Sequence, residues 1–171
     1  MVIALLGYMG SGKSHIARLL SQKLNFEFID LDKQIMLKNK RSVAEIFQMS
    51  GEIYFRKQER ELLEEYLASK NDVVLSLGGG TPAYYNNMEV INLNSFSFFL
   101  RSSVNTLSQR LLKQKNTRPL IAKINDEDLP EFIAKHLFER NAFYSKAQFT
   151  VDIDGKTPEE IAEEIMHHLP F

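Results

Sequence analysis

Residues Gly7-Tyr8-Met9-Gly10-Ser11-Gly12-Lys13-Ser14 match the pattern G-x-x-x-x-G-K-[ST] at every fixed position, and no other stretch constrains the chain as tightly. Before it runs Met1-Val2-Ile3-Ala4-Leu5-Leu6, a short continuous apolar run that reads as a buried parallel strand. After it, Ile16, Leu19, Leu20 and Leu24 recur at helical spacing. A strand, a glycine turn and a helix N-terminus in succession aim backbone N–H groups and a helix dipole at one point, which suits a phosphate. In such a cradle Lys13 would reach the β- and γ-phosphates of a nucleotide, and the Ser14 hydroxyl would take a place on Mg²⁺. A dinucleotide fingerprint, G-x-G-x-x-G, would need glycine at His15. Asp30 stands about where that fingerprint wants its acid, so the missing glycine and the pair Lys13-Ser14 decide against it. Six of the eight glycines fall in two loops, Gly7, Gly10 and Gly12 in this one and Gly78, Gly79 and Gly80 in the other.

A chain of 171 residues is long enough for one domain with a proper core, and we expect a single domain over 1–171. A net charge of −1 argues against a large nucleic-acid footprint. The absence of cysteine excludes disulfides and thiolate metal sites. No apolar run approaches the ~20 residues of a membrane span, and the first residues form a core strand rather than a charged leader. The expectation is a cytoplasmic protein without nucleic-acid or membrane partners.

Along the chain, Phe26-Glu27-Phe28-Ile29-Asp30 reads as a second strand that ends in Asp30-Leu31-Asp32. Two acids at the carboxyl end of a strand lie where open α/β sheets bind ligands, although a helix cap with first-turn charge has the same look. Ser42-Val43-Ala44-Glu45 is a capping box, and Ser50-Gly51 turns the chain into a long helix from about Glu52 to Ser69. At 100° per residue, Phe55, Leu62, Leu63, Tyr66 and Leu67 share an arc that also holds Arg56 and Glu59. Charges on a buried stripe need partners, so this is either an i,i+3 ion pair at the core's edge or part of a site.

Asp72-Val73-Val74-Leu75-Ser76-Leu77 is a third strand running into Gly78-Gly79-Gly80, where backbone can approach a ligand closely. It carries no acid at its end, whereas an ATPase that activates water usually holds Mg²⁺ with one there. The guanine signature Asn-Lys-x-Asp is also missing, since Asn39-Lys40 is followed by Arg41-Ser42. A fourth strand covers 95–100, and a helix follows through Leu107, Leu111 and Leu112. Arg110, Lys113, Lys115, Arg118 and Lys123 then crowd a segment of weak periodicity, which reads as solvated surface or as a mobile lid over phosphates. A helix from about Pro130 to Ser145 again carries an arginine, Arg140, on the apolar face of Ile133, Leu137 and Tyr144. A fifth strand covers 149–153, and Thr157-Pro158-Glu159-Glu160 caps a closing helix.

Strands alternating with helices give an α/β protein with a parallel sheet covered on both faces. A phosphate loop, an acid pair, a triple-glycine turn and two inward arginines describe a small-molecule kinase. Arginine's fork matches carboxylate, so the acceptor should be a small anion with a hydroxyl that an aspartate can orient.

The chain resembles the shikimate kinase family along nearly its whole length. The resemblance rests on Gly10-Ser11-Gly12-Lys13-Ser14, Asp30-Leu31-Asp32, Gly51-x-x-x-Phe55-Arg56-x-x-Glu59, Ser76-Leu77-Gly78-Gly79-Gly80, Arg118-Pro119-Leu120 and Arg140-x-x-x-Tyr144. It implies the three-layer P-loop NTPase fold of nucleoside-monophosphate-kinase type. That fold has a five-stranded parallel sheet in order 2-3-1-4-5, helices on both faces, a mobile lid at about 114–128 and substrate-binding helices at about 31–65. The implied reaction is ATP-dependent phosphorylation of shikimate to shikimate 3-phosphate, a step towards chorismate and aromatic amino acids, by a monomer.

By the same resemblance, Arg56, Arg140 and the Gly78-Gly79-Gly80 turn bind shikimate, and Asp32 binds its hydroxyls as the candidate base. Gly10, Ser11, Gly12, Lys13, Ser14, His15, Arg110 and Arg118 bind ATP, with Arg110 near the adenine and Lys13 and Arg118 acting on the transferring phosphoryl group. Ser14 ligates Mg²⁺ directly and Asp30 through water, while Glu59 buttresses the arginines. Two departures stand out: His15 replaces the family's usual Thr, and Asp154-Gly155-Lys156 lacks arginines that some members show. The alternatives are another small-acid kinase of this fold, such as a gluconate kinase, and a non-catalytic nucleotide-binding module.

Overall fold

The computed structural model describes all residues, 1–171. Five strands, β1 (Val2–Leu6), β2 (Glu27–Asp30), β3 (Val73–Ser76), β4 (Phe96–Arg101) and β5 (Phe149–Asp152), form one all-parallel sheet in the order β2-β3-β1-β4-β5. Seven helices connect and flank them: α1 (Lys13–Leu24), α2 (Leu31–Asn39), α3 (Val43–Leu67), α4 (Asn87–Asn94), α5 (Val104–Lys113), α6 (Leu129–Tyr144) and α7 (Pro158–His167). The fold expectation is met in strand number, order and direction.

Every residue of β1 is buried, because helices cover both faces of the sheet. Val2, Ala4 and Leu6 join one core cluster with Leu75 and Phe99, beneath α2, α3, α5 and α6. Ile3 and Leu5 join the other with Val74, Phe98 and Leu100, beneath α1 and α7. The chain leaves β1 towards one edge of the sheet and leaves β4 towards the other. The neighbouring carboxyl ends therefore open a crevice, and the glycine loop lies in it.

Local chemistry sets the helix ends that matter for this crevice. Asp30 caps α2, its Oδ1 accepting from the Lys33 N–H at 3.2 Å. Ser42 caps α3 by accepting from the Glu45 N–H at 3.1 Å. Gly51 breaks α3 with φ 83° and ψ 170°, which re-aims the second half that carries Arg56 and Glu59. The full Thr157–Glu160 capping box starts α7, with Pro158 in its first turn. No helix is long and apolar enough to cross a membrane.

The 114–128 segment has more internal structure than its sequence pattern suggests. A short 3₁₀ turn, Lys115–Thr117, leads into successive turns up to α6. Ile121 is completely buried in the main core cluster, and Lys115 pairs with Asp126 at 2.7 Å. Ile121 sits in the short apolar run Leu120-Ile121-Ala122, whose other two members are exposed, and so brief a run shows neither a period nor which residue turns inward.

Candidate active site

The loop after β1 takes its shape from glycines that other residues would strain. Gly10 and Gly12 have φ of 81° and 89°, and Gly12 is the left-handed cap of α1. A Cβ on Gly7 would lie 2.8 Å from the Leu100 carbonyl oxygen. Lys13 and Ser14, at the end of the loop, line a polar cavity of about 400 Å³. Lys13 Nζ donates to the Gly7 and Tyr8 carbonyls at 2.8 and 3.0 Å, and burial pulls its pKa down to about 8. Ser14 Oγ donates to Asp30 Oδ2 at 2.7 Å and lies 3.1 Å from Ser76 Oγ. Asp30 is thus both helix cap and site residue. The buried Ser11 hydroxyl has no hydrogen-bond partner.

His15, Asp32, Arg110 and Arg118 also line this cavity. Arg110 Nη1 donates to the Gly10 carbonyl at 3.2 Å, which ties α5 to the loop. The Arg118 guanidinium donates twice to Gln114 Oε1, at 3.2 and 2.9 Å, and is held at the cavity's rim.

A second cavity of about 880 Å³ adjoins the first, and Met9, Asp32 and Gly79 belong to the walls of both. Its charged end is built on the triple glycine. A Cβ placed on Gly80 would lie 2.7 and 2.8 Å from the two Arg56 Nη atoms and 3.0 Å from Arg140 Nη1. Both guanidinium heads therefore converge on one spot, one from α3 and one from α6. Arg140 Nη1 donates to the Gly79 carbonyl at 2.7 Å, and the Tyr144 hydroxyl donates to the same oxygen at 2.6 Å.

Arg56 does form the i,i+3 pair, with Glu59 Oε1 at 2.9 Å; Glu59 is 1% exposed and also accepts from Thr81 Oγ1 at 2.7 Å. Ion pair and site membership are the same feature here: the fixed acid holds the arginine where the cavity needs it. A Cβ on Gly78 would lie 2.8 Å from Asp32 Oδ1 and 3.2 Å from Glu59 Oε2, so the two carboxylates stand close together. Burial, then the nearby Glu59 and Asp30 charges, push the Asp32 pKa up to about 6.

The structure thus brings the candidate residues together in the walls of two joined cavities with Asp32 at the junction, except Ser11, whose buried hydroxyl lines neither cavity. Residues not anticipated also line the larger cavity. The buried Tyr8 hydroxyl meets His136 Nδ1 at 2.9 Å, and Tyr84 lays its ring over Arg56. Tyr8 occupies a free position of the loop pattern, which carries no signal. His136 lies one helical turn before Arg140, and that i,i+4 spacing could have flagged it.

The family model described as shikimate kinase matches residues 9–170. A shikimate kinase of Flavobacterium psychrophilum is 45% identical over 170 residues, covering 99% of this chain and 98% of its own. The crystal structure of shikimate kinase from Bacteroides thetaiotaomicron superposes with a TM-score of 0.91 at 35% identity, covering 98% of this chain and 97% of that one. Shikimate kinase from Acinetobacter baumannii, in complex with shikimate, gives 0.86 at 29% identity, covering 97% and 90%. On the family model over nearly its whole length, and on relatives of this identity and coverage, the chain belongs to the shikimate kinase family.

Proposed function

We propose that the smaller cavity holds ATP and the larger one holds shikimate, with phosphoryl transfer at the junction beside Asp32. The protein is a kinase of the shikimate pathway that phosphorylates shikimate with ATP; what is proposed is how its own residues divide the work. The convergence of Arg56 and Arg140 over Gly80, one wall away from the phosphate loop, carries the reading. Two forks aimed at one spot suit a carboxylate, which each can meet with paired N–H donors.

Phosphoryl transfer asks mainly for in-line placement and for compensation of charge on the transferring group. Asp32 would orient the acceptor hydroxyl and accept its proton. A pKa of about 6 leaves it largely ionised at neutral pH and close to the value at which a base works best. Lys13, now bonded to loop carbonyls, would turn to the β- and γ-phosphates, whose charge restores its pKa. Arg118 would leave Gln114 to meet the transferring group, and Arg110 and His15 would border the rest of the nucleotide.

Ser14 Oγ and the Asp30 carboxylate form an all-oxygen pair of the kind that suits a hard cation keeping several waters. They would hold Mg²⁺, Ser14 directly and Asp30 through water, and the bound ion would neutralise phosphate charge. The acceptor-side helices are α2 and α3, and the 114–128 segment would act as the lid of this single domain. The gluconate-kinase and non-catalytic alternatives are not favoured.

Release of ADP should be slow without acceptor or with gluconate, and shikimate should raise it by orders of magnitude. A coupled assay with the three arms reads this directly. Equal rates in all three would remove the acceptor assignment and leave an ATPase.

A further inference from the structure

Arg56 is restrained far more than a carboxylate-binding arginine requires. Its Nη1 donates to the buried Glu59 at 2.9 Å. The Arg56 guanidinium carbon sits over the ring of Tyr84, 3.9 Å from its centroid, and 5.1 Å from the Phe55 centroid. The Tyr84 hydroxyl does not donate to solvent. It donates to Glu52 Oε1 at 2.6 Å, and that oxygen lies 3.6 Å from Arg56 Nε, a buried N–H without a hydrogen-bond partner. The bond to Glu52 raises the Tyr84 pKa and lowers that of Glu52, so one stays a donor and the other an acceptor at neutral pH.

We propose that Tyr84 and Glu52 are positioning residues that set the plane of the Arg56 fork for the acceptor's carboxylate. The inference rests on the larger cavity being the acceptor site. A guanidinium reads a carboxylate through two coplanar N–H donors, and rotation about the last side-chain bonds destroys the match. Glu59 fixes one edge of Arg56 but leaves it free to rock about that contact. The Tyr84 face removes the rocking, and the Glu52 tether keeps the ring in place. Glu52 and Arg56 stand one turn apart on the half of α3 that follows the Gly51 kink, and Tyr84 comes from the β3–α4 connection, just after the short 3₁₀ turn Thr81–Ala83. Both positioning residues also line the cavity, so their effect is exerted at its wall.

The test is a double-mutant cycle on Tyr84 and Arg56, with shikimate affinity from calorimetry at up to millimolar ligand, steady-state KM for both substrates and thermal melting. Tyr84→Ala should weaken shikimate binding about tenfold and leave the KM for ATP and the melting temperature nearly unchanged, on the scale of a lost cation–π contact and a misaligned fork. Tyr84→Phe, which keeps the stack and loses the tether, should lose about threefold, and Glu52→Gln about the same. In an Arg56→Ala background, Tyr84→Ala should cost almost nothing more, because the group it positions is gone. Normal shikimate affinity in Tyr84→Ala would overturn the proposal. So would a tenfold loss that persists in the Arg56→Ala background, since Tyr84 would then touch the acceptor itself. Shikimate-independent turnover of the unmodified enzyme would instead fail the underlying reading of the cavity.

Discussion

Burial, together with the Glu59 and Asp30 charges, holds the Asp32 pKa at about 6, against 3.8 for a free carboxyl. As the proposed base Asp32 must be ionised to act, so kcat/KM should fall as pH drops through about 6, about two units higher than for an exposed aspartate. Asp32→Asn should abolish that limb and lower kcat by roughly 10²-fold or more. Stability should move the other way. A folded pKa above the unfolded one means the native state holds the proton more tightly; that stabilisation is complete below about 3.8 and lost as pH rises through about 6. At pH 7 the Asn variant has no such charge to bury and should melt at a higher temperature than the parent. A pH–rate profile and a melting curve together check both signs. At Gly80 the expected split is the reverse. An added methyl meets the Arg56 and Arg140 heads at 2.7 to 3.0 Å, and its three nearest atoms are guanidinium nitrogens, so the strain falls on the two held forks and not on the main chain. Gly80→Ala should therefore fold normally and raise the KM for shikimate by about tenfold, the scale of one charge-assisted hydrogen bond lost. Unchanged KM would mean that the two heads need not converge.

Helix α3 works as two rods joined at Gly51, whose φ of 83° and ψ of 170° belong to glycine alone. A Cβ there would meet nothing within 4 Å, so Gly51→Ala isolates the backbone cost, which should be roughly 1–3 kcal/mol by chemical denaturation. A loss near zero would show that the kink relaxes into a straight helix. This break was legible in the sequence because Ser50-Gly51 interrupts the helical pattern, and the strands were legible because sheet faces covered on both sides leave continuous apolar runs. Arg56, Glu59 and Arg140 were legible as charges on apolar stripes, a conflict that only a partner resolves. Three features were not. Ile121 is the one buried member of a short apolar run with exposed neighbours, Tyr84 follows a turn whose direction no local pattern fixes, and the Tyr8–His136 contact joins residues 128 positions apart. In each case the tertiary fold, and no local spacing, supplies the neighbour.

One segment borders both cavities. Arg118 lines the smaller cavity, proposed for ATP, and the next two residues, Pro119 and Leu120, line the larger one, proposed for the acceptor. Movement of 114–128 would therefore close over both substrates together, which makes each ligand's hold on the segment depend on the other. Ile121, buried beneath it, restricts that motion to the flanks of an anchored point. Trypsin offers a direct probe, because Lys115 is ion-paired, Arg118 precedes proline, and Lys123 is exposed. Cleavage at Lys123 should be measurable in the free enzyme and should be slowed more by a nonhydrolysable ATP analogue with shikimate than by the product of their separate effects. An arginine delivered by closure meets the phosphoryl group mainly in the reacting state, so it should act on kcat more than on ground-state binding. Arg118→Ala should leave shikimate affinity nearly intact and lower kcat by roughly 10³-fold, the low end for loss of an arginine finger. If ligands leave cleavage at Lys123 unchanged and Arg118→Ala turns over normally, the segment is a fixed surface loop and the phosphoryl charge is met by Lys13 without it.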